Sequence, residues 1–230
     1  GEHIAYAEAH QNYQRTDFVR SMAFVRQRYF VIADRLASDQ TEAREHRWRL
    51  HAGVGRDFPG ASSFQGNRAQ IQATTARLEV ALASPAGDVV FEAPPFEENQ
   101  APYVHDINDH GHHDVLDGVL SAQDPDFLAV LLPSPNDDQS LSIEAIDAPT
   151  GSVAWRVIGD QVDDVIWLRS TAVNEPLVVG GRSIETDADL LILSGSDVGL
   201  IASGSSLRIN GSERIALDSV VPVHLWEPPN

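Results

Sequence analysis

Apolar and polar residues alternate in short runs along most of the chain, and Gly, Pro, Asn and Asp separate the runs. Alternation with period two turns successive side chains to opposite faces of an extended strand, so the pattern predicts many short β-strands. The densest signal spans Val19 to Leu36, where two aromatic and β-branched runs flank Arg26, Gln27 and Arg28 and predict a hairpin with a short loop. Further strands are expected at Arg47 to His51, Ala76 to Ala83, Asp88 to Glu92, Phe127 to Leu132, Leu141 to Ile146, Val153 to Ile158, Asp164 to Arg169, Ala188 to Leu193 and Val198 to Ser203. Asn210-Gly211 sits between two alternating runs, and this dipeptide accepts the positive φ values that a two-residue hairpin turn demands. No stretch sustains a helical period capped at both ends; residues 1–10 hold helix formers, yet Ile4, Tyr6 and their neighbours also alternate as a strand would.

These elements predict an all-β fold: one domain over residues 1–230, an antiparallel β-sandwich of many short strands, with an incomplete sheet edge left open. Residues 93–126, with Pro94, Pro95, Pro102 and the run HDINDHGHHD, read as an irregular His/Asp-rich loop within it. The chain has 230 residues, of which 42% are hydrophobic and 22% charged; that is globular composition and excludes a disordered chain. With no cysteine, disulfides, thiolate metal sites and a cysteine nucleophile are all excluded. No apolar run approaches bilayer length.

The net charge of −18 argues against nucleic-acid and anionic-membrane partners. It is unevenly spread: residues 1–60 hold nine arginines and eight acids, a balance of +1, whereas residues 61–230 hold seven and twenty-six, a balance of −19. An anionic ligand is therefore expected to meet the N-terminal quarter. Every basic residue is arginine, whose guanidinium fork binds carboxylate and sulfate in bidentate fashion. Arg20, Arg28, Arg35, Arg47 and Arg49 are the candidate contacts for an anionic glycan; against this stands the wet-face alternation of Arg47 and Arg49 about Trp48. His105, Asp109, His110, His112, His113 and Asp114 are the candidate metal ligands, with zinc suited to the imidazoles and calcium to the carboxylates. Their spacing matches no standard zinc pattern, and a solvated polar loop is the competing account. His10 and Tyr13, three apart, fall on opposite faces of a strand and read as structural. Trp48, Trp155 and Trp167 lie in alternating runs, which assigns them to the core.

Arg20 to Leu36, with its Tyr29-Phe30-Val31-Ile32-Ala33-Asp34-Arg35-Leu36 string, followed by His46 to Gly53, resembles the β-sandwich region of heparinase II/III-like polysaccharide lyases. Residues 5–15 and the run FLAVLLPSP are similar to further strands of that region. The resemblance implies the C-terminal sandwich portion of an enzyme that cleaves uronate-containing glycans by β-elimination, in an extracellular or periplasmic setting. In that family a helical toroid carries much of the acid–base machinery, and the sandwich adds a His-x-His element and a His-Asn element. No His-x-His precedes the matching region and no His-Asn occurs, so the resemblance carries over no catalytic residue, and this chain alone is expected to be inactive. The partners it implies are an anionic polysaccharide and either a toroid domain or another chain pairing with the sheet edge. The alternatives are a free-standing carbohydrate- or metal-binding module and a structural, sheet-completing partner.

Overall fold

The computed structural model describes residues 4–13, 15–55, 59–94, 113–138, 140–170, 173, 175–195 and 198–226. All regular structure among these residues is strand. In chain order the strands are β1 (Ile4–Tyr13), β2 (Thr16–Val25), β3 (Tyr29–Ser38), β4 (Arg44–His51), β5 (Gly60–Gln65), β6 (Arg68–Ala73), β7 (Ala76–Ala83), β8 (Val90–Glu92) and β9 (Val115–Ala122). They continue with β10 (Phe127–Pro135), β11 (Leu141–Ile146), β12 (Ser152–Gly159), β13 (Val162–Arg169), β14 (Leu177–Val179), β15 (Arg182–Thr186), β16 (Leu190–Ser194), β17 (Val198–Ile209) and β18 (Ser212–Trp226). The expected hairpins are present: β2 and β3 turn through Arg26 and Gln27, both at positive φ, and β17 and β18 turn through Asn210 (φ 53°) and Gly211 (φ 74°).

All strand pairs are antiparallel and build three sheets. A seven-stranded sheet runs β1-β2-β3-β10-β7-β6-β5, an eight-stranded sheet runs β11-β12-β13-β16-β17-β15-β14 with β18 on β17, and β4-β9-β8 form a third. Alternation along the central strands shows how they stack. Val31, Ala33, Leu128, Val130 and Ala81 enter one core with Trp155, Ile166, Leu168, Ile192 and Leu200 of the eight-stranded sheet. Their neighbours Ala129, Val80 and Leu82 enter a second core with Trp48, Phe91, Leu116 and Leu120 of the three-stranded sheet. The seven-stranded sheet is thus apolar on both faces at its centre and lies between the other two. A third core, with Trp167, Val165, Leu191, Ile201 and Leu207, is drawn from the eight-stranded sheet alone, which curls around it. Each fully buried large side chain contributes roughly 1.5–3 kcal/mol, so the three cores carry most of the stability. Trp48, Trp155 and Trp167 are buried, as their alternation required.

One correction concerns the stretch read as a loop at 93–126. Its last third forms β9, paired with β4 from His51 and Val115 to Arg44 and Ala122. Asp117 and Gly118 interrupt the apolar pattern and disguise the strand. Asp117 is buried and answered by arginines, while a Cβ at Gly118 would meet Leu82 Cδ2 at 2.1 Å, so only glycine lets the layers close there. Residues 95–112 lie outside the described residues. Strands β5 and β6, polar on one face, also escaped the sequence pattern.

Three buried aspartates tie the layers together. Asp164 of β13 accepts from the Tyr29 hydroxyl at 2.8 Å, Ser194 Oγ at 3.0 Å, the Gly195 amide at 3.1 Å and Arg26 Nε at 3.2 Å, joining the seven- and eight-stranded sheets. Asp34 of β3 accepts two 2.6 Å bonds from Arg20 and one of 3.0 Å from Trp48 Nε1, which anchors β4. Asp117 of β9 accepts from Arg49 at 2.7 and 2.8 Å and from Arg47 at 3.2 Å. A buried carboxylate is tolerated only when its lone pairs are filled this way.

Candidate functional site

Strand β1 is paired with β2 over its whole length without a bulge, so residues 6, 8 and 10 share one face. That face is the one turned toward the eight-stranded sheet: Tyr6 packs beside its core, whereas Glu8 and His10 are exposed. Register places Ser21 of β2 opposite Glu8, and Val19 opposite both His10 and Arg35 of β3. The result is one polar row. Tyr6 and Ser21 hydroxyls donate to Glu8 Oε2 at 2.6 and 3.1 Å, the two hydroxyl oxygens lie 2.9 Å apart, and His10 Nε2 lies 2.7 Å from Glu8 Oε1.

The electrostatics divide the labour. Partial burial works against the Glu8 carboxylate, but the bonds from Tyr6, His10 and Ser21 outweigh it and hold the group below its ordinary range. Burial, followed by the Glu8 bond, pushes the Tyr6 phenol up to about 12, and the charge of Arg35 offsets only part of this. At neutral pH the row therefore presents an ionised carboxylate between a protonated phenol and an imidazole. Such a set can donate to and accept from a hydroxylated ligand, and Tyr6, which keeps its proton at neutral pH, serves as a hydrogen-bond donor and not as a base. Pairing His10 with Tyr13 misses this site, because three residues reverse the face; the legible signal is the spacing Tyr6, Glu8, His10. The side chain of Tyr13 lies outside the described residues.

The five candidate glycan arginines occupy different places. Arg35 alone shares the row of His10; its Nη1 meets Asp189 Oδ2 at 2.5 Å, linking β3 to the start of β16. Beside them Asp126 is pushed up to about 6, chiefly by burial and then by the charge of Asp189, against the pull of Arg35. Arg20 grips Asp34 on the opposite face, where the bond to that carboxylate raises its own affinity for the proton against the cost of burial. Arg28, at the hairpin, donates to Ser140 at 2.7 Å. Arg47 and Arg49 are brought together on Asp117, whose carboxyl they hold low despite the opposing effect of burial.

Of the candidate metal ligands, His105, Asp109, His110 and His112 lie outside the described residues. Asp114 is engaged by the hydroxyl and amide of Ser62, at 2.6 and 3.2 Å. His113 lies beside His51, Nε2 to Nδ1, at 2.9 Å. Burial, with the neighbouring His113 and Arg49, lowers the proton affinity of His51 and favours the neutral ring that a metal would need. Among the described residues no group of three or more His, Asp or Glu converges on a point.

Layered antiparallel sheets packed face to face over shared apolar cores place the chain in the β-sandwich class. Among solved structures the chain is similar to heparinase III, the product of the BT4657 gene, with a TM-score of 0.53 and 13% identity over 74% of this chain. A second structure of that protein, with methylated lysines, gives a TM-score of 0.54 at the same identity and coverage. The match spans 26% of the heparinase III chain, and at this identity it speaks for the fold. No protein-family model matches the sequence, and no curated protein matches it.

Proposed function

We propose that this chain is the β-sandwich portion of a polysaccharide-lyase-related protein and contributes one wall of a site for uronate-containing glycans, without catalysing elimination alone. The observation that carries the reading is the heparinase III likeness across 74% of the chain. The Tyr6–Glu8–His10 row supports it, since mixed donors and acceptors with a nearby arginine suit a hydroxylated, carboxylated ligand. The toroid of such a protein, or a strand of another chain on a sheet edge, is its partner in this reading. The setting it fits is extracellular or periplasmic; no helix among the described residues is long and apolar enough to cross a membrane.

The test is retention of the chain on immobilised alginate, heparan and chondroitin, with the ultraviolet absorbance of unsaturated uronate followed in parallel. Retention without rising absorbance is expected. Failure to bind any uronate polymer overturns the glycan reading, and a sustained absorbance rise overturns the claim of inactivity. The His51–His113 contact favours a second reading, a zinc-binding module. Elemental analysis after purification without chelator checks it: near-stoichiometric zinc that is lost in His51→Ala supports it, and a metal-free protein ends it.

A further inference from the structure

The face of the seven-stranded sheet that carries Tyr6 is polar again at its other end. In register, Arg68 of β6 lies opposite Ala81 of β7, and Gln70 lies opposite Ser63 and Glu79. Ala81 belongs to the core shared with the eight-stranded sheet, so Arg68, Gln70, Ser63 and Glu79 stand on that same face. The two faces of β6 differ sharply: Ala69 and Ile71 are buried against the three-stranded sheet, whereas Gln70 is exposed. A groove of about 650 Å³ opens here, bounded by β5, β6, β7 and β11. That volume is within the range of small-ligand sites.

Two features separate this groove from an ordinary wet surface. Arg68 is held in place: its Nη1 meets Glu79 Oε1 at 3.1 Å and its guanidinium lies 5.1 Å from the centroid of the Trp155 ring. Its remaining N–H groups have no acceptor among the described residues. A guanidinium already fixed by a ring and a carboxylate loses little further freedom when it binds an anion, which lowers the entropic cost of association. Around it Ser63, Gln65 and Gln70 make no side-chain hydrogen bond within the described residues, although all three line the groove. Amides and hydroxyls each donate and accept, as vicinal sugar hydroxyls do.

Building on the glycan reading above, we infer that this groove is a subsite for an acidic saccharide, with Arg68 receiving the uronate carboxylate and Gln65, Gln70 and Ser63 receiving ring hydroxyls. Arg68 and Arg77, which also lines the groove, bring two positive charges and Glu79 one negative. Glu79 also orients the Arg68 guanidinium, so the subsite selects a single carboxylate rather than a multiply sulfated chain.

Calorimetric titration of the full chain with a short unsulfated oligouronate, and with the same oligosaccharide after carboxyl reduction, tests the assignment. Wild-type protein is expected to bind the acid form saturably and the reduced form roughly tenfold more weakly. Arg68→Gln is expected to lose roughly tenfold in affinity, and Arg68→Lys, which keeps the charge but not the fork, several-fold. Melting curves establish that each variant is folded. Equal binding by wild type and both Arg68 variants, or equal binding of the reduced sugar, overturns the subsite while leaving the glycan reading intact. If wild-type protein binds no oligouronate, both fall. Loss of binding in His10→Ala with Arg68→Gln unaffected puts the glycan at the opposite end of the sheet and also overturns the subsite.

Discussion

The β1–β2 end and the β5–β7 end of the seven-stranded sheet are polar margins of one face whose centre is apolar, yet they satisfy their polar groups in opposite ways. At the first, Tyr6, Glu8, His10 and Ser21 bond to one another. At the second, the side chains of Ser63, Gln65 and Gln70 have no partner among the described residues, while Arg68 is fixed by Glu79 and Trp155, and Arg77 by Ser134 and the Asp138 carbonyl. A closed network tunes proton affinity, because each member sees a fixed neighbour. An open one leaves its hydrogen-bonding capacity to a ligand, because no internal bond must first be broken. One margin is therefore closed on itself and the other open, on the same face of one sheet.

The largest expected effect comes from undoing what holds both ends in one frame. Asp164→Ala strands the Tyr29 hydroxyl and Arg26 at the junction of the two large sheets, and is expected to cost about 3–5 kcal/mol in chemical denaturation. A loss below about 1 kcal/mol would mean that the sheets are held by their apolar core alone.

Asp126, near the first margin, tests whether its charges act through the fold. Its carboxyl rises in the folded state from 3.8 to about 6, so folding favours the protonated form. The resulting stability is present in acid and is lost as pH rises through about 6. Asp126→Asn is expected to stabilise the protein by about 1 kcal/mol above pH 7, a figure discounted for partial exposure, and to have little effect near pH 4. Thermal melts at the two pH values check this, and a pH-independent difference would refute the account.

Tyr6→Phe removes a hydroxyl from the closed network and is expected to cost about 0.5–1.5 kcal/mol. It should also abolish one late step in alkaline spectrophotometric titration, since Tyr6 ionises only at about 12; Tyr29, which burial and the neighbouring Asp164 also push well up, keeps its own late step in the variant. If the titration curve of the variant loses a step at ordinary tyrosine pH instead, the Tyr6–Glu8 bond is not formed in solution. Glu8 has the opposite linkage: its affinity for the proton is lowered on folding, so its stabilisation is present above pH 4.5 and fades as pH falls. Glu8→Gln should flatten that acid slope. The smallest effect sharpens the contrast most. Gln70→Ala is expected to change stability by less than about 0.5 kcal/mol, because nothing described depends on its side chain.

Reading the chain as strands was secure wherever an apolar or β-branched run is unbroken or turn chemistry is explicit, as in β2–β3, β10 and the Asn210-Gly211 turn. It failed at β9, where Asp117 and Gly118 break the apolar pattern for reasons that lie on other strands: two arginines of β4 and Leu82 of β7. It failed at β5 and β6, whose polar faces resemble a loop when the neighbouring sheet is unknown. The candidate site was legible in part. Arg35 and His10 stood out as charged or titratable residues, but their union through Val19, and the role of Tyr6, depend on strand register. Conversely, Arg20, Arg47 and Arg49 look alike in sequence as anion binders, while the fold commits each to a buried aspartate.

The sequence by itself determined an all-β chain, its principal hairpins, the tryptophans that enter the core and the absence of cysteine chemistry, because alternation and turn preference are properties of adjacent residues. Only the tertiary structure decided that one sheet would be covered on both faces at its centre and bare at its margins. Coverage depends on which distant strands become neighbours, and a polar side chain acquires a partner, or is left to find one outside the chain, according to what is stacked above it.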